Sequence, residues 1–169
     1  MSYNNNKEVS IPTDIDDNEK IARSVFSPIN LNKKGKLNAN TYKSPAGIDE
    51  VSVNRLTYTT PNFCKKISKS IEQPQNRREY FGLAILDTSE IRKCKADILY
   101  SPIYLPTKSK NIYHSDIKVG HIKEKVKNGM QGEPLPAEIQ YKIKQLTDNA
   151  RFYKDPNPND DNWTGDELI

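Results

Sequence analysis

The sequence predicts an α+β fold, a single domain over residues 14–154 in which helices pack on a small mixed β-sheet, flanked by acidic flexible ends. Three observations point there. The run Tyr80–Leu86 is apolar in both alternating phases, Phe63, Ile67 and Ile71 and then Ile139, Ile143 and Leu146 recur at helical spacing, and both ends are acidic without either period. A run apolar in both phases marks a strand covered on both faces, whereas steps of three and four mark a helix with one buried stripe.

Along the chain, residues 1–13 are polar and unpatterned and read as a flexible end. Residues 14–26 open with acids and carry Ile21, Ala22, Val25 and Phe26, which predicts a short helix stopped by Pro28, since the residue before proline is pushed out of the α region. A long connection follows, 27–50, with Lys33, Lys34, Gly35 and Lys36 in it. Val51–Tyr58 is β-rich, and Thr60 before Pro61 supplies a hydroxyl cap with proline in the first turn of a helix carrying Phe63, Ile67 and Ile71 on one face.

Tyr80–Leu86 predicts a strand in the interior of the sheet. Asp87 with Glu90 three residues on is a capping box, so a helix holding Ile91 and Cys94 inward comes next, then β structure over 97–104 with Pro102 at an edge or an end. Residues 111–119 alternate, Tyr113, Ser115, Ile117 and Val119 against Ile112, His114, Asp116 and Lys118, which predicts one buried face and one polar face. A short helix over 121–127 and a long one opened by Pro134–Pro136, with the stripe running on through Ala150 and Tyr153, complete the domain. From Asp155 the chain is acidic, punctuated by proline and aperiodic, the pattern of a flexible tail over 155–169.

The hydrophobic share of 34% stays below the ~45–50% of an average globular chain even with the 7 glycines added. Part of the length is therefore expected outside the core. Charge is segregated along the sequence: residues 21–154 hold 24 of the 26 Lys+Arg but 12 of the 22 Asp+Glu, a net +12 behind an overall +4. A basic middle of this kind favours nucleic acid, nucleotides or an acidic protein surface. Cys64 and Cys94 stand singly, without zinc or disulfide spacing, which fits a reducing, cytoplasmic setting. No apolar leader opens the chain and no run of 18 apolar residues occurs, so no membrane span is expected.

No cofactor fingerprint, phosphate loop or nucleophile elbow is present, and no metal ligand set or cofactor is implied. Both histidines of the chain lie in Asn111–His121, and in a regular strand His114 and Asp116 share a face, where a carboxylate can orient an imidazole for acid–base work. Arg55, in phase with Val51 and Val53, is expected to point inward, to hold an anionic substrate group or to close a structural ion pair, whereas the other strand phase, with Leu56 and Tyr58 inward, turns it to solvent. Lys65, Lys66, Lys69, Arg77, Arg78, Lys123, Lys125 and Lys127, interleaved with tyrosines, form a candidate polyanion surface. Trp163, Leu168 and Ile169 among acids have the make-up of a partner-docking peptide, or of a segment that packs back on its own core. The expected function is a small accessory or regulatory protein binding a polyanion or a partner through its basic middle. The competing expectation is an enzyme with His114 as acid or base, Asp116 orienting it and Arg55 fixing an anionic substrate.

Overall fold

A computed structural model describes residues 10–121 and 135–169. Its main sheet is built from β1 (Lys20–Pro28), β2 (Val51–Arg55), β3 (Arg78–Asp87), β4 (Asp97–Tyr100), β7 (His114–Lys118) and β8 (Arg151–Lys154), while β5 (Ile103–Tyr104) and β6 (Lys110–Asn111) form a small hairpin. Three helices, α1 (Pro61–Ser70), α2 (Thr88–Lys93) and α3 (Ala137–Asn149), complete a single α+β domain. The six strands run in the order β4-β7-β2-β1-β3-β8. Every neighbouring pair is antiparallel, where a mixed sheet is the expectation from sequence. The reason is β1: it lies between β2 and β3, which run the same way, so the α1 connection between them creates no parallel ladder.

β1 is the element the sequence hides. Ile21 with Ala22 and Val25 with Phe26 carry a helix-like spacing, yet Ile21 and Val25 face one side of the sheet and Ala22 and Phe26 the other. A strand paired on both edges buries both phases, and a shift in register between Val25 and Phe26 accommodates the bend. β3 is the interior strand expected, with Tyr80 and Leu83 to Leu86 all buried. The local signals also read through: Thr60 Oγ1 accepts from Phe63 N at 3.2 Å to cap α1, and Asp87 with Glu90 forms the capping box of α2. α3 ends at Asn149, and Tyr153 belongs to β8, so the last step of the expected helical stripe crosses into a strand on the opposite side of the core.

Two apolar layers result. On the first face Val51, Val53, Ala84, Leu86, Ile98 and Ile117 pack with Ile91 of α2 and with Ile139, Ile143 and Leu146 of α3. On the second face Phe26, Leu83 and Ile85 pack with Leu56, Cys64 and Leu168. The burial of Leu168 corrects the expected free tail, because residues 155–169 close the second layer as part of the body. The N-terminal boundary moves as well, since Ile15 is in the core and the carbonyl of Pro12 accepts from Arg55.

β8 can approach β3 because position 82 has no side chain: a Cβ there would lie 2.2 Å from the carbonyl oxygen of Tyr153. Gly82→Ala therefore forces β8 away from β3, with an expected cost of about 3 kcal/mol and a fall in Tm of roughly 5–10 °C. A melting curve equal to that of the unmodified chain would contradict the β3–β8 pairing.

Candidate functional site

The register of β7 with β2 and β4 brings three polar side chains together. β7 pairs His114 with Asn54 and Asp116 with Ser52 of β2, and Asp116 with Leu99 of β4, so His114 and Asp116 share one face. Ser101, just past the end of β4, completes the group. Its hydroxyl donates to Asp116 Oδ2 at 2.6 Å, and His114 Nδ1 donates to the Ser101 carbonyl at 2.7 Å with Ser101 Oγ at 3.2 Å. The imidazole Nε2 then faces Asp116 Oδ1 at 3.8 Å, and among the described residues neither atom has a hydrogen-bond partner.

The expected polar outer face of this strand is buried. His114 and Asp116 are each 6% exposed, and Ser115 and Ile117 on the other side are sealed too, so β7 is covered on both faces. The arrangement is not a serine–histidine relay. The Ser101 proton goes to the carboxylate, and the ring directs Nδ1 at the main chain, so no hydroxyl is activated as a nucleophile. What the cluster offers is two facing polar atoms, Nε2 and Oδ1, 3.8 Å apart. His121 lies apart, exposed, with Nε2 at 3.0 Å from the Gly47 carbonyl.

Arg55 does not join this group. It points to the opposite face, fully buried, and pairs with Glu19 through Nε at 2.7 Å and Nη2 at 2.9 Å. The carbonyls of Pro12 and Asp14 take further donors, and the guanidinium sits 4.9 Å and 5.1 Å from the ring centroids of Tyr58 and Tyr100. A buried guanidinium this fully engaged has nothing left for a substrate anion, which corrects its assignment to substrate binding. It fastens the acidic N-terminal stretch instead, helped by Arg92, which bonds Asp17 and the Ile15 carbonyl.

Lys65 undergoes the same correction. It is fully buried, its ammonium 2.9 Å from Asp155 Oδ2, and it donates to the carbonyls of Asn157 at 2.8 Å and Asn162 at 2.9 Å. Tyr80 Oη donates to the same carboxylate at 2.7 Å and the Asn157 amide to its other oxygen at 2.8 Å. Burial alone would raise the Asp155 pKa; the bonds from Tyr80, Lys65 and Asn157 outweigh it and hold the group below its ordinary 3.8. The docking residues are used in cis. Trp163 N donates to Asn62 Oδ1 at 2.6 Å, Leu168 is buried, and the carbonyl of Ile169, whose side chain is exposed, accepts from Arg151 and Tyr153.

Of the remaining basic candidates, Lys66, Arg77 and Arg78 are exposed and Lys69 is half-buried. Lys123, Lys125 and Lys127, and the short helix expected around them, lie outside the described residues. Sequence reasoning missed Ser101, Glu19 and Asp155; the only signal for the last two was that an inward arginine and lysine need carboxylates somewhere. Among the described residues no three His, Cys, Asp or Glu side chains are grouped to hold a metal, and no helix is long and apolar enough to cross a membrane. Burial pushes the Cys64 thiol up to about 12, which leaves it unreactive. Comparison with family models, curated proteins and solved structures finds no match.

Three outcomes follow from these contacts. Lys65→Met and Asp155→Asn should each cost about 3–5 kcal/mol in urea unfolding followed by Trp163 fluorescence, because each strands a buried polar partner. A cost below about 1 kcal/mol, the size of an exposed pair, would contradict the burial. Because the Asp155 pKa is depressed on folding, its contribution is full above the unfolded pKa and is lost as pH falls through the lower folded value. The acid side of the stability curve, below about pH 4, should thus be shallower in Asp155→Asn. In the other cluster, Ser101→Ala removes the donor to Asp116 Oδ2 and should lower stability by about 1–3 kcal/mol. No change on that substitution would place the hydroxyl outside the network.

Proposed function

We propose that the chain is a small accessory or regulatory protein that binds a polyanion, of the nucleic-acid or nucleotide class, through the basic end of its sheet. The observation that carries this reading is the meeting of two basic turns where β1 ends and β3 begins. Pro28 is the register partner of Arg78, and Ile29 N donates to the Arg77 carbonyl at 3.2 Å, which fixes the two turns to each other. Beyond Ile29 the chain folds into a turn in which Asn32 Oδ1 accepts from the amides of Lys34 and Lys36 at 2.9 Å and 3.0 Å. Lys33, Lys34, Lys36, Arg77 and Arg78 are all exposed, and none takes part in the ion pairs among the described residues. Cations without carboxylate partners are the ones that neutralise phosphates and release counterions. Arg77 also holds a left-handed backbone, φ 63°, a conformation that costs a non-glycine residue about 1–2 kcal/mol.

The two thiols are buried and unpaired, which supports a reducing compartment, and we assign the cytoplasm as part of this proposal. The enzyme reading rests on the facing Nε2 and Oδ1 of His114 and Asp116. It is weakened by their burial and by the engagement of Arg55 with Glu19. An acidic protein is the alternative occupant of the same basic end.

Fluorescence anisotropy with a labelled oligonucleotide tests the reading. Association should be strong at low salt, and Arg77→Gln with Arg78→Gln should weaken it and flatten the dependence of log K on log salt by about 0.7 per lost single-strand phosphate contact. Arg77→Gly should weaken binding while leaving stability unchanged or raising it by up to about 1 kcal/mol, since glycine adopts that backbone without strain. The absence of any association at low salt would overturn the polyanion reading and leave the acidic protein partner. A loss of stability in Arg77→Gly would make the residue structural.

A further inference from the structure

The C-terminal segment crosses α1 on the Lys65 side, and beside that crossing a cleft of about 480 Å³ opens. Its α1 wall is Asn62, Phe63, Lys66 and Lys69, and its other wall is Asp161 and Asn162 of the segment. The helix dictates this set. Cys64, Ile67 and Ser68 face the sheet, so positions 62, 66 and 69, spaced by four and three, present one side chain per turn along the outer side. Phe63 is only partly buried, and its ring meets Tyr113 edge-on, centroids 5.0 Å apart at 74°, which fixes its orientation. This corrects the expectation that Phe63, Ile67 and Ile71 form one inward stripe: Ile67 is buried, Ile71 is 39% exposed, and Phe63 lines the cleft.

We infer that this cleft takes one nucleoside-phosphate unit, with Phe63 stacking on the base and Lys66 and Lys69 holding the phosphate. The inference rests on the polyanion reading and gives it a specific subsite. The volume lies within the ~300–1,000 Å³ of small-ligand sites, and the combination of an aromatic ring with flanking cations is what separates a base-bearing polyanion from a bare one. Neither lysine enters the ion pairs among the described residues. Asp161 is the opposing charge in the same cleft, so the segment that builds the far wall also sets an electrostatic threshold for anions. Asn62 ties the walls together by accepting from Trp163 N, while the indole turns away from the cleft and donates to the Asp166 carbonyl.

The test compares a short oligothymidylate, thymidine monophosphate and inorganic polyphosphate on the full chain at low salt, by anisotropy or competition. Phe63→Leu, which keeps an apolar side chain against Tyr113, should weaken oligothymidylate binding roughly tenfold, the loss of about one stack, and leave polyphosphate within about twofold. Asp161→Asn, an exposed position, should strengthen all three ligands a few-fold. Saturable monophosphate binding identifies a site that takes the free nucleotide, and binding of the oligonucleotide alone identifies a strand-binding subsite. Oligonucleotide binding that is indifferent to both Phe63→Leu and Asp161→Asn overturns the cleft while leaving the polyanion reading intact. Failure of every anion to bind overturns both. Should Phe63→Leu fail to melt cooperatively, Asp161→Asn decides, and unchanged affinity for the oligothymidylate in that variant overturns the cleft.

Discussion

The ammonium of Lys65, sealed from solvent against the Asp155 carboxylate, decides where the C-terminal segment goes. A buried lysine without a counterion costs several kcal/mol, so once α1 lies on the sheet this side chain must be met by an acid and by carbonyls. Asp155, Asn157 and Asn162 meet it, and Trp163 and Leu168 are carried onto the second face of the sheet as a result. The same logic acts on the first face, where Arg55 draws in Glu19 and with it the acidic turn that precedes β1. Each acidic end is fastened by one buried cation.

This division changes the meaning of the charge pattern. The net +12 of the middle is not a uniform basic surface, because Arg55 and Lys65 are internal and Arg92 and Arg151 are bonded to acids. Among the cations left exposed or half-buried, the proposed reading uses the turns carrying Lys33, Lys34, Lys36, Arg77 and Arg78, and the outer side of α1 with Lys66 and Lys69. The acidic C-terminal segment does more than offset charge, since by crossing α1 it forms one wall of the cleft beside those two lysines. Fold stability and the proposed recognition therefore share one element, and charge substitutions on this segment are expected to move both.

What the sequence made legible follows from how local each cause is. The interior strand Tyr80–Leu86, the Thr60 cap and the Asp87–Glu90 box depend on neighbours within one turn or on a pattern inside one strand. β1 was not legible, because Ile21, Ala22, Val25 and Phe26 satisfy a helical spacing as well as the two faces of a bulged strand, and only pairing on both edges separates the two. Composition gives no signal that distinguishes Lys65 from Lys66, although one is fully buried and the other exposed; the distinction comes from the partner Asp155, brought near by β8. In the same way His114 and Asp116 were visible as a pair, whereas Ser101 joins them only through the β4–β7 register.

Amide hydrogen exchange resolved along residues 155–169 of the full chain tests the central claim most directly. If the segment is fastened by Lys65, the amides of Asp155, bonded to the Phe81 carbonyl at 2.9 Å, of Asn157, bonded to Asp155 Oδ1 at 2.8 Å, and of Trp163, bonded to Asn62 Oδ1 at 2.6 Å, should be protected well above the rates of an unstructured peptide. That protection should collapse in Lys65→Met before the protection of β3 does. Exchange at unstructured-peptide rates throughout 155–169 in the unmodified chain would contradict the account, and would return the segment to the status of an acidic tail.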